Sequence, residues 1–275
     1  MKIEDLKLQR VKSALFLPVY TLWKRELVRF VRDRQRLFGA IGQPLLFWLL
    51  VGSGLDASFL PAGYSQGMSY LEYIYPGTLM LILLFTAIFS TISVVEDRRE
   101  GFMQSVLVAP IPRTSLVLGK VLGGTTMAVL EGMLFLIFAF RLGIPLSVQA
   151  LVSTVGLLFL IALGLTGLGF ATAWQMESTA GFHAIMNLFL LPMWLLSGAF
   201  FPPSGVPAWL GWMMRVNPLT YGMTGLRRVL YMEAPFAVGD LPPLEICVTI
   251  TALFALVMLG VSVVVVDRRE PGRGR

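Results

Sequence analysis

Apolar residues run in long stretches along this chain, and polar residues gather between them. Six stretches, near Leu37–Leu55, Ile74–Val95, Leu116–Phe140, Leu151–Trp174, Ala184–Phe201 and Ile246–Val266, are predominantly apolar. At about 1.5 Å of rise per helical residue, each approaches the ~30 Å thickness of a bilayer's hydrocarbon. Lone prolines inside them, such as Pro44 and Pro192, are tolerated where neighbouring groups satisfy the freed carbonyls. Ahead of the first stretch, Leu15, Val19, Leu22, Trp23, Leu27, Phe30 and Val31 recur at helical spacing, with Lys24, Arg25, Arg29, Arg32 and Arg36 on the other side. That pattern predicts a basic amphipathic helix lying in the headgroup plane with its apolar face in lipid. A partner-binding face is the weaker alternative, because the helix abuts a span.

The link Pro202–Glu245 is too apolar for a plain loop, carrying Trp209, Trp212, Met213, Met214, Tyr221 and Leu226. Pro207 and Pro218 divide it into two short helices, and the tryptophans and Tyr221 suit the headgroup layer. The expected fold is therefore an all-α membrane protein. It has six transmembrane helices, an N-terminal amphipathic interfacial helix, and short re-entrant outer helices between the fifth and sixth spans. The expected divisions are a tail with interfacial helix (1–36), a six-span domain (37–266) and a basic tail (267–275).

Composition agrees. Apolar residues are 56% of the chain and charged ones 14%, against roughly 25% charged in a soluble domain. One cysteine, Cys247, and one histidine, His183, rule out an internal disulfide and a His/Cys metal cluster within one chain. The strongly charged first 36 residues show no signal peptide followed by a cleavage site, so the N-terminus is expected to stay in the cytoplasm.

The formal charge of +6 is a matter of placement. Ten lysines and arginines precede Leu37; Arg98, Arg99, Arg113 and Lys120 flank the second link; Arg268, Arg269, Arg273 and Arg275 close the chain. The opposite side holds Arg141, Arg215, Arg227 and Arg228. Positive residues mark the inner side, so both termini are expected in the cytoplasm of a cell inner (plasma) membrane. The basic excess reads as topology and lipid contact, and no nucleic-acid partner is expected.

Catalytic chemistry is scarce. The string "LGKVLGG", Leu118–Gly124, lacks the glycine spacing and the hydroxyl after lysine that a phosphate-cradling loop needs. Ser197 and His183 alone make a weak case for an intramembrane protease. Glu131 lies near the middle of the third span, where burying a carboxylate costs about 2.5–3.5 kcal/mol or more. It is either helix-joining glue or a group on a substrate path or gate, and both readings stay open. Gly119-x-x-x-Gly123 and Gly169-x-x-x-Ala173 permit close helix packing.

The link between the second and third spans is unusually specific. Glu96, Arg98, Arg99 and Glu100 lead to Gly101; Phe102, Met103, Val106 and Leu107 then fit a short amphipathic helix, before Pro110, Gly119 and Lys120. This order resembles the corresponding link of type-2 ATP-binding-cassette (ABC) transporter permeases. The outer stretch Leu196–Arg227, around Asn217, Pro218, Leu219, Thr220 and Tyr221, is similar to that family's outer signature. Gln104 stands where the family often carries an acid. The resemblance implies a subunit that forms the substrate pathway of an exporter, pairing with a second copy or a sister permease and with two ATPase subunits. Under it, the residues Glu96 and Arg98 to Met103, with Val106 and Leu107, form the ATPase-coupling segment. ATP and Mg would bind the partner subunits, and this chain would bind no cofactor and be no enzyme. Cargo would be amphipathic or lipid-linked. The alternative is a proton-coupled secondary carrier using Glu131.

Overall fold

The computed structural model describes residues 3–55, 69–203, 206–233 and 241–268, with side chains described from Phe16 onward except at 34–38 and 40. The expectations for the link 56–68 and the basic tail 269–275 fall outside these residues. Among the described residues the chain is all-helical, with no strand. The helices are α1 (Ile3–Arg32), α2 (Arg34–Leu55), α3 (Tyr70–Ser90), α4 (Ile92–Arg99), α5 (Phe102–Val108) and α6 (Arg113–Phe135). Then follow α7 (Ile137–Arg141), α8 (Val148–Ala173), α9 (Thr179–Trp194), a π-helical turn (Leu195–Ala199), α10 (Ala208–Val216), α11 (Pro218–Leu230) and α12 (Leu244–Arg268).

Local chemistry sets these boundaries. Ser69 caps α3 in a capping box with Glu72, and Ser147 and Ser178 cap α8 and α9; each hydroxyl accepts from a backbone N–H that the first helical turn leaves unpaired. Gly101, at φ +80°, separates α4 from α5, a left-handed conformation that costs glycine least. Pro76 inside α3 cannot donate to the Glu72 carbonyl one turn back. The Tyr231 hydroxyl donates to that oxygen instead, at 2.7 Å.

Five helical stretches are long and apolar enough to cross a membrane: Tyr70–Arg99, Arg113–Arg141, Val148–Ala173, Thr179–Ala199 and Leu244–Arg268. The expected first span is shorter than this standard. Its helix α2 is in place, but its apolar stretch, Ile41–Leu55, covers only about 22 Å. The second span is the centre of the molecule, with 83% of its apolar stretch buried, against 22% for Thr179–Ala199 and 17% for Leu244–Arg268. In a membrane protein the outer faces of those last two helices meet lipid or another subunit.

Small residues allow this packing. A Cβ on Gly164 would lie 2.6 Å from the Phe254 ring of α12, and one on Gly169 2.8 Å from the Thr91 hydroxyl between α3 and α4. The Gly119-x-x-x-Gly123 pair serves neither a dimer seam nor another span. Added Cβ atoms there would meet Leu22 and Glu26 of α1, at 2.6 and 2.7 Å.

Helix α1 therefore differs from the expected free-lying surface helix. Leu22 and Phe30 are buried, Trp23 donates to the Thr126 hydroxyl of α6 at 3.0 Å, and Phe16, Leu17, Tyr20 and Val31 remain exposed. Part of its apolar face is spent on protein. The stripe of small residues on α6 lets the two backbones approach closely enough for that.

Candidate functional site

The junction of α1, α4 and α6 holds a knot of six charges. Asp97, near the end of α4, is fully buried. Arg25 donates to both of its oxygens, at 2.8 and 2.7 Å, and Arg29 donates to it at 2.9 Å. Arg29 also reaches Glu96 at 2.7 Å. From α6, the buried Lys120 ammonium donates to Asp97, to Glu26 at 2.8 Å and to Ser93 at 3.3 Å. Arg25, Arg29 and Lys120 thus balance Glu26, Glu96 and Asp97. Such an arrangement is sustainable at low dielectric because each charge is paired and hydrogen-bonded; removing one partner would strand another. Hydrogen bonding to Asp97, with the attraction of its charge, holds the Arg25 guanidinium's pKa above its ordinary value.

The knot extends into the short helix. The Arg25 guanidinium lies 3.8 Å from the centroid of the Phe102 ring, a cation–π contact that ties α1 to the start of α5. Arg98 turns the other way. It donates to the Trp174 and Met176 carbonyls and stacks over the Trp174 ring at 4.9 Å, fastening the end of α8. Arg99 and Glu100 are exposed. Within α5, Met103 is buried, and Phe102, Val106 and Leu107 pack on the core. The amphipathic pattern is present, but its apolar face points inward. The outward surface of α5 is Gln104, Ser105 and Val108, the last 87% exposed.

Above this knot, a cleft of about 750 Å³ runs between α2, α3 and α9. Asp33 and Glu96 stand at one end of it; Gln43, Phe85, Thr86, Phe89, His183, Asn187 and Leu191 line it further along. Glu131 is not among its lining residues. It is buried behind the wall, where its carboxylate accepts a hydrogen bond from Thr86, which does line the cleft. The carboxylate therefore touches the cleft only through a hydroxyl. Ser197 and His183 do not form a catalytic pair. They are fourteen residues apart along α9 and its π turn, about 21 Å of helix, and the buried Ser197 hydroxyl donates to the Trp194 carbonyl.

At the other end of the bundle, the outer motif has a definite structural task. Asn217 caps α11 by accepting from the Leu219 N–H at 3.1 Å, and Pro218 takes the first helical position, where its missing N–H costs nothing. The Asn217 amide also donates to the Met193 carbonyl at 2.7 Å, and Thr220 donates to Leu196 and Met214 carbonyls at 3.2 and 2.6 Å. Leu219 is buried, and the Tyr221 hydroxyl donates to the Arg215 carbonyl at 3.0 Å. Two of these acceptors, Met193 and Leu196, lie where α9 loosens into the π turn around Gly198, at φ +83°. The motif supplies donors to carbonyls that a broken helix leaves open, as a break at membrane depth requires. The division of the outer link at Pro207 and Pro218 is as the sequence predicts.

The sequence profile of the ABC-2 type transporter family matches residues 18–231, most of the chain and every element of the knot, cleft and outer motif. This chain belongs to the ABC-2 type transporter family. It is similar to the putative transport permease ycf38 of Cyanophora paradoxa, 27% identical over 237 residues, covering 82% of this chain and 81% of that one. It is likewise similar to the inner membrane transport permease YadH of Escherichia coli K12 (23% identical, 75% and 80% covered). A third relative is nodulation protein J of Rhizobium leguminosarum bv. trifolii (26%, 86% and 87%). The protein is thus a membrane transport subunit rather than an enzyme, of a family that works with ABC ATPase components.

For this permease, sequence reasoning located the charged link and the outer signature. It missed the members that complete the knot. Glu26 is a lone acid on the apolar face of α1, one turn from Leu22 and from Phe30, Lys120 a lone cation inside an apolar span, and Asp97 one acid in a crowded run. A charge at such a depth marks a paired or functional group. Only the fold says which partner each one has.

Proposed function

We propose that this permease is the membrane half of an ABC exporter, working as a dimer with a second copy or sister permease and driven by two ATPase subunits docked beneath it. In this reading α2 completes a set of six spans, both termini lie in the cytoplasm, and amphipathic cargo leaves outward through the cleft. The carrying observation is the charge knot. It joins α1, the end of the second span and the start of the third to the rigid hairpin of α4 and α5, so a push on α5 is transmitted to all three. Glu96 belongs both to the knot and to the cleft lining, which links that push to the cleft. Two packings of one element, biased by a partner, are what coupling of this kind requires.

Because Met103 and its apolar neighbours face inward, the ATPase would be met by Glu100, Gln104, Ser105 and Val108. ATP and Mg would sit on that partner. A secondary carrier built on Glu131 gains no support, since that carboxylate lies off the cleft lining. Co-reconstitution with a candidate ATPase provides the test. Val108→Glu is expected to uncouple ATP hydrolysis from transport without unfolding the permease. Uphill transport by the isolated chain, in vesicles without any nucleotide hydrolase, would overturn the proposal.

A further inference from the structure

Arg227 is a buried cation that the charge knot does not use. It stands on α11, 2% exposed, at the end of the bundle away from the knot, where a charge out of water is expensive and marks a paired or functional group. Its guanidinium lies 4.2 Å from the centroid of the Tyr73 ring on α3. It also donates to the Tyr73 carbonyl at 3.3 Å and to the Gly198 carbonyl of the π turn at 3.4 Å. One side chain thus touches the second span, the broken end of the fifth and the outer link.

The contacts around it separate two bodies. Asn217 and Thr220 donate to the Met193 and Leu196 carbonyls, so α11 and the π turn hold together as one. The other is α3. Trp194 donates across to the Gly77 carbonyl at 2.8 Å, and Tyr70 donates back to the Phe200 carbonyl at 3.1 Å. A Cβ on Gly77 would lie 2.7 Å from the Ala199 carbonyl oxygen. Arg227 is the charged member of this clamp. Its two carbonyl bonds are at the long end of the hydrogen-bonding range, and an aromatic face is a strong partner for a cation out of water. A small shift of α3 breaks the long bonds and draws the ring from under the charge. Water admitted at that end then solvates the guanidinium, which reaches for it on a flexible stem. The contact therefore has a dry, paired state and a wet, released one.

The position of the clamp gives it a task. The cleft residues on α3, such as Phe85 and Phe89, and on α9, such as His183 and Leu191, lie between the clamp and the knot. Contents of the cleft that move away from the knot meet the clamp. The stretch Tyr70–Arg99 carries both devices, with Tyr73 and Asp97 about 36 Å of helix apart. Building on the exporter reading, we propose that Arg227 is the latch of the outer gate. Its contacts with Tyr73 hold α3 on the π turn while cargo occupies the cleft, and the gate opens when they are given up.

The test uses the full-length permease with Cys247→Ala, which removes the single cysteine, in phosphatidylcholine nanodiscs that leave both faces open to a water-soluble maleimide. Ser197→Cys reports the gate, since Ser197 is buried and lines one small void with Arg227. Asn187→Cys reports the cleft. Arg227→Met and Tyr73→Leu are each expected to speed labelling of Ser197→Cys tenfold or more and to slow labelling of Asn187→Cys. The two move oppositely because α3 and α9 each run from gate to cleft, and packed helices shift between discrete arrangements. Combining Arg227→Met with Tyr73→Leu should label no faster than either alone, as for two halves of one contact. Arg227→Lys keeps a charge over the ring without the reach to both carbonyls. It should fall between, and it carries the test if Arg227→Met fails to fold. Unchanged or slower labelling at Ser197→Cys would overturn the proposal, because the buried charge would then not favour closure. Faster labelling there without slowing at Asn187→Cys would overturn it as well, leaving Arg227 a structural tie. The assay contains no ATPase and does not depend on sidedness, so its failure leaves the coupling and topology readings standing, and failed coupling leaves this one standing.

Discussion

Lys120 and Asn217 are the residues on which the most depends. Lys120 bridges two carboxylates at a site closed to solvent, so Lys120→Met leaves the three carboxylates of the knot facing only Arg25 and Arg29. Breaking one side of a buried pair costs about 3–5 kcal/mol, and thermal unfolding in detergent should show a clear loss of Tm. Adding Asp97→Asn to that variant should recover part of the loss, because the excess negative charge is then gone. A loss that the second substitution deepens would mean that Asp97 is held mainly by Arg25 and Arg29. At the other end, Asn217→Ala removes a helix cap and a donor to the Met193 carbonyl together. The expected cost is about 1–3 kcal/mol, read as a lower Tm and faster proteolysis around the π turn. The chemistry of both residues was legible: an ammonium inside an apolar span and an Asn-Pro pair at a helix start. Their partners, in helices distant along the chain, were not.

The helices α1 and α5 show how far a periodic pattern reaches. Spacing correctly gives α5 an apolar face, yet periodicity cannot say whether that face meets the chain's own core or a partner. The fold turns Met103 inward. Met103→Glu is accordingly expected to destabilise the permease itself, whereas Gln104→Lys should leave Tm unchanged and alter only association with an ATPase, measured by co-purification. For α1, the sequence supplies both the amphipathic face and the Gly119/Gly123 stripe, but nothing links the two until they are packed. Gly123→Leu would drive a side chain into α1, since even a Cβ at this position would come within 2.7 Å of Glu26. It should pry α1 from α6, break the Lys120–Glu26 bridge and release α1 to limited proteolysis.

At the scale of the whole permease, the pattern of charge makes a directional claim that labelling can check. Cys247 is buried and single, so a Cys247→Ala background leaves no native thiol to react. In it, Gln104→Cys on α5 should react with a membrane-impermeant maleimide only from the cytoplasmic side, and Trp209→Cys on α10 only from outside. Labelling of both from the same side would refute the proposed topology. The short apolar stretch of α2 belongs to the same scale. It sits against α3, so a neighbouring helix shelters part of a segment that does not reach the full thickness by itself.

The amino-acid sequence alone determined that this chain is helical and made for lipid, where the outer link divides, and which two links are too particular to be ordinary loops. Those are properties of local backbone chemistry and of solvent preference, and both are written in consecutive residues. Only the tertiary structure decided that Asp97 gathers cations from two other helices, that α5 hides its apolar face, and that Glu131 stands behind a cleft rather than in it. Each of these depends on which surfaces meet across the bundle, and the closeness of that meeting is set by small residues whose partners lie far away along the chain.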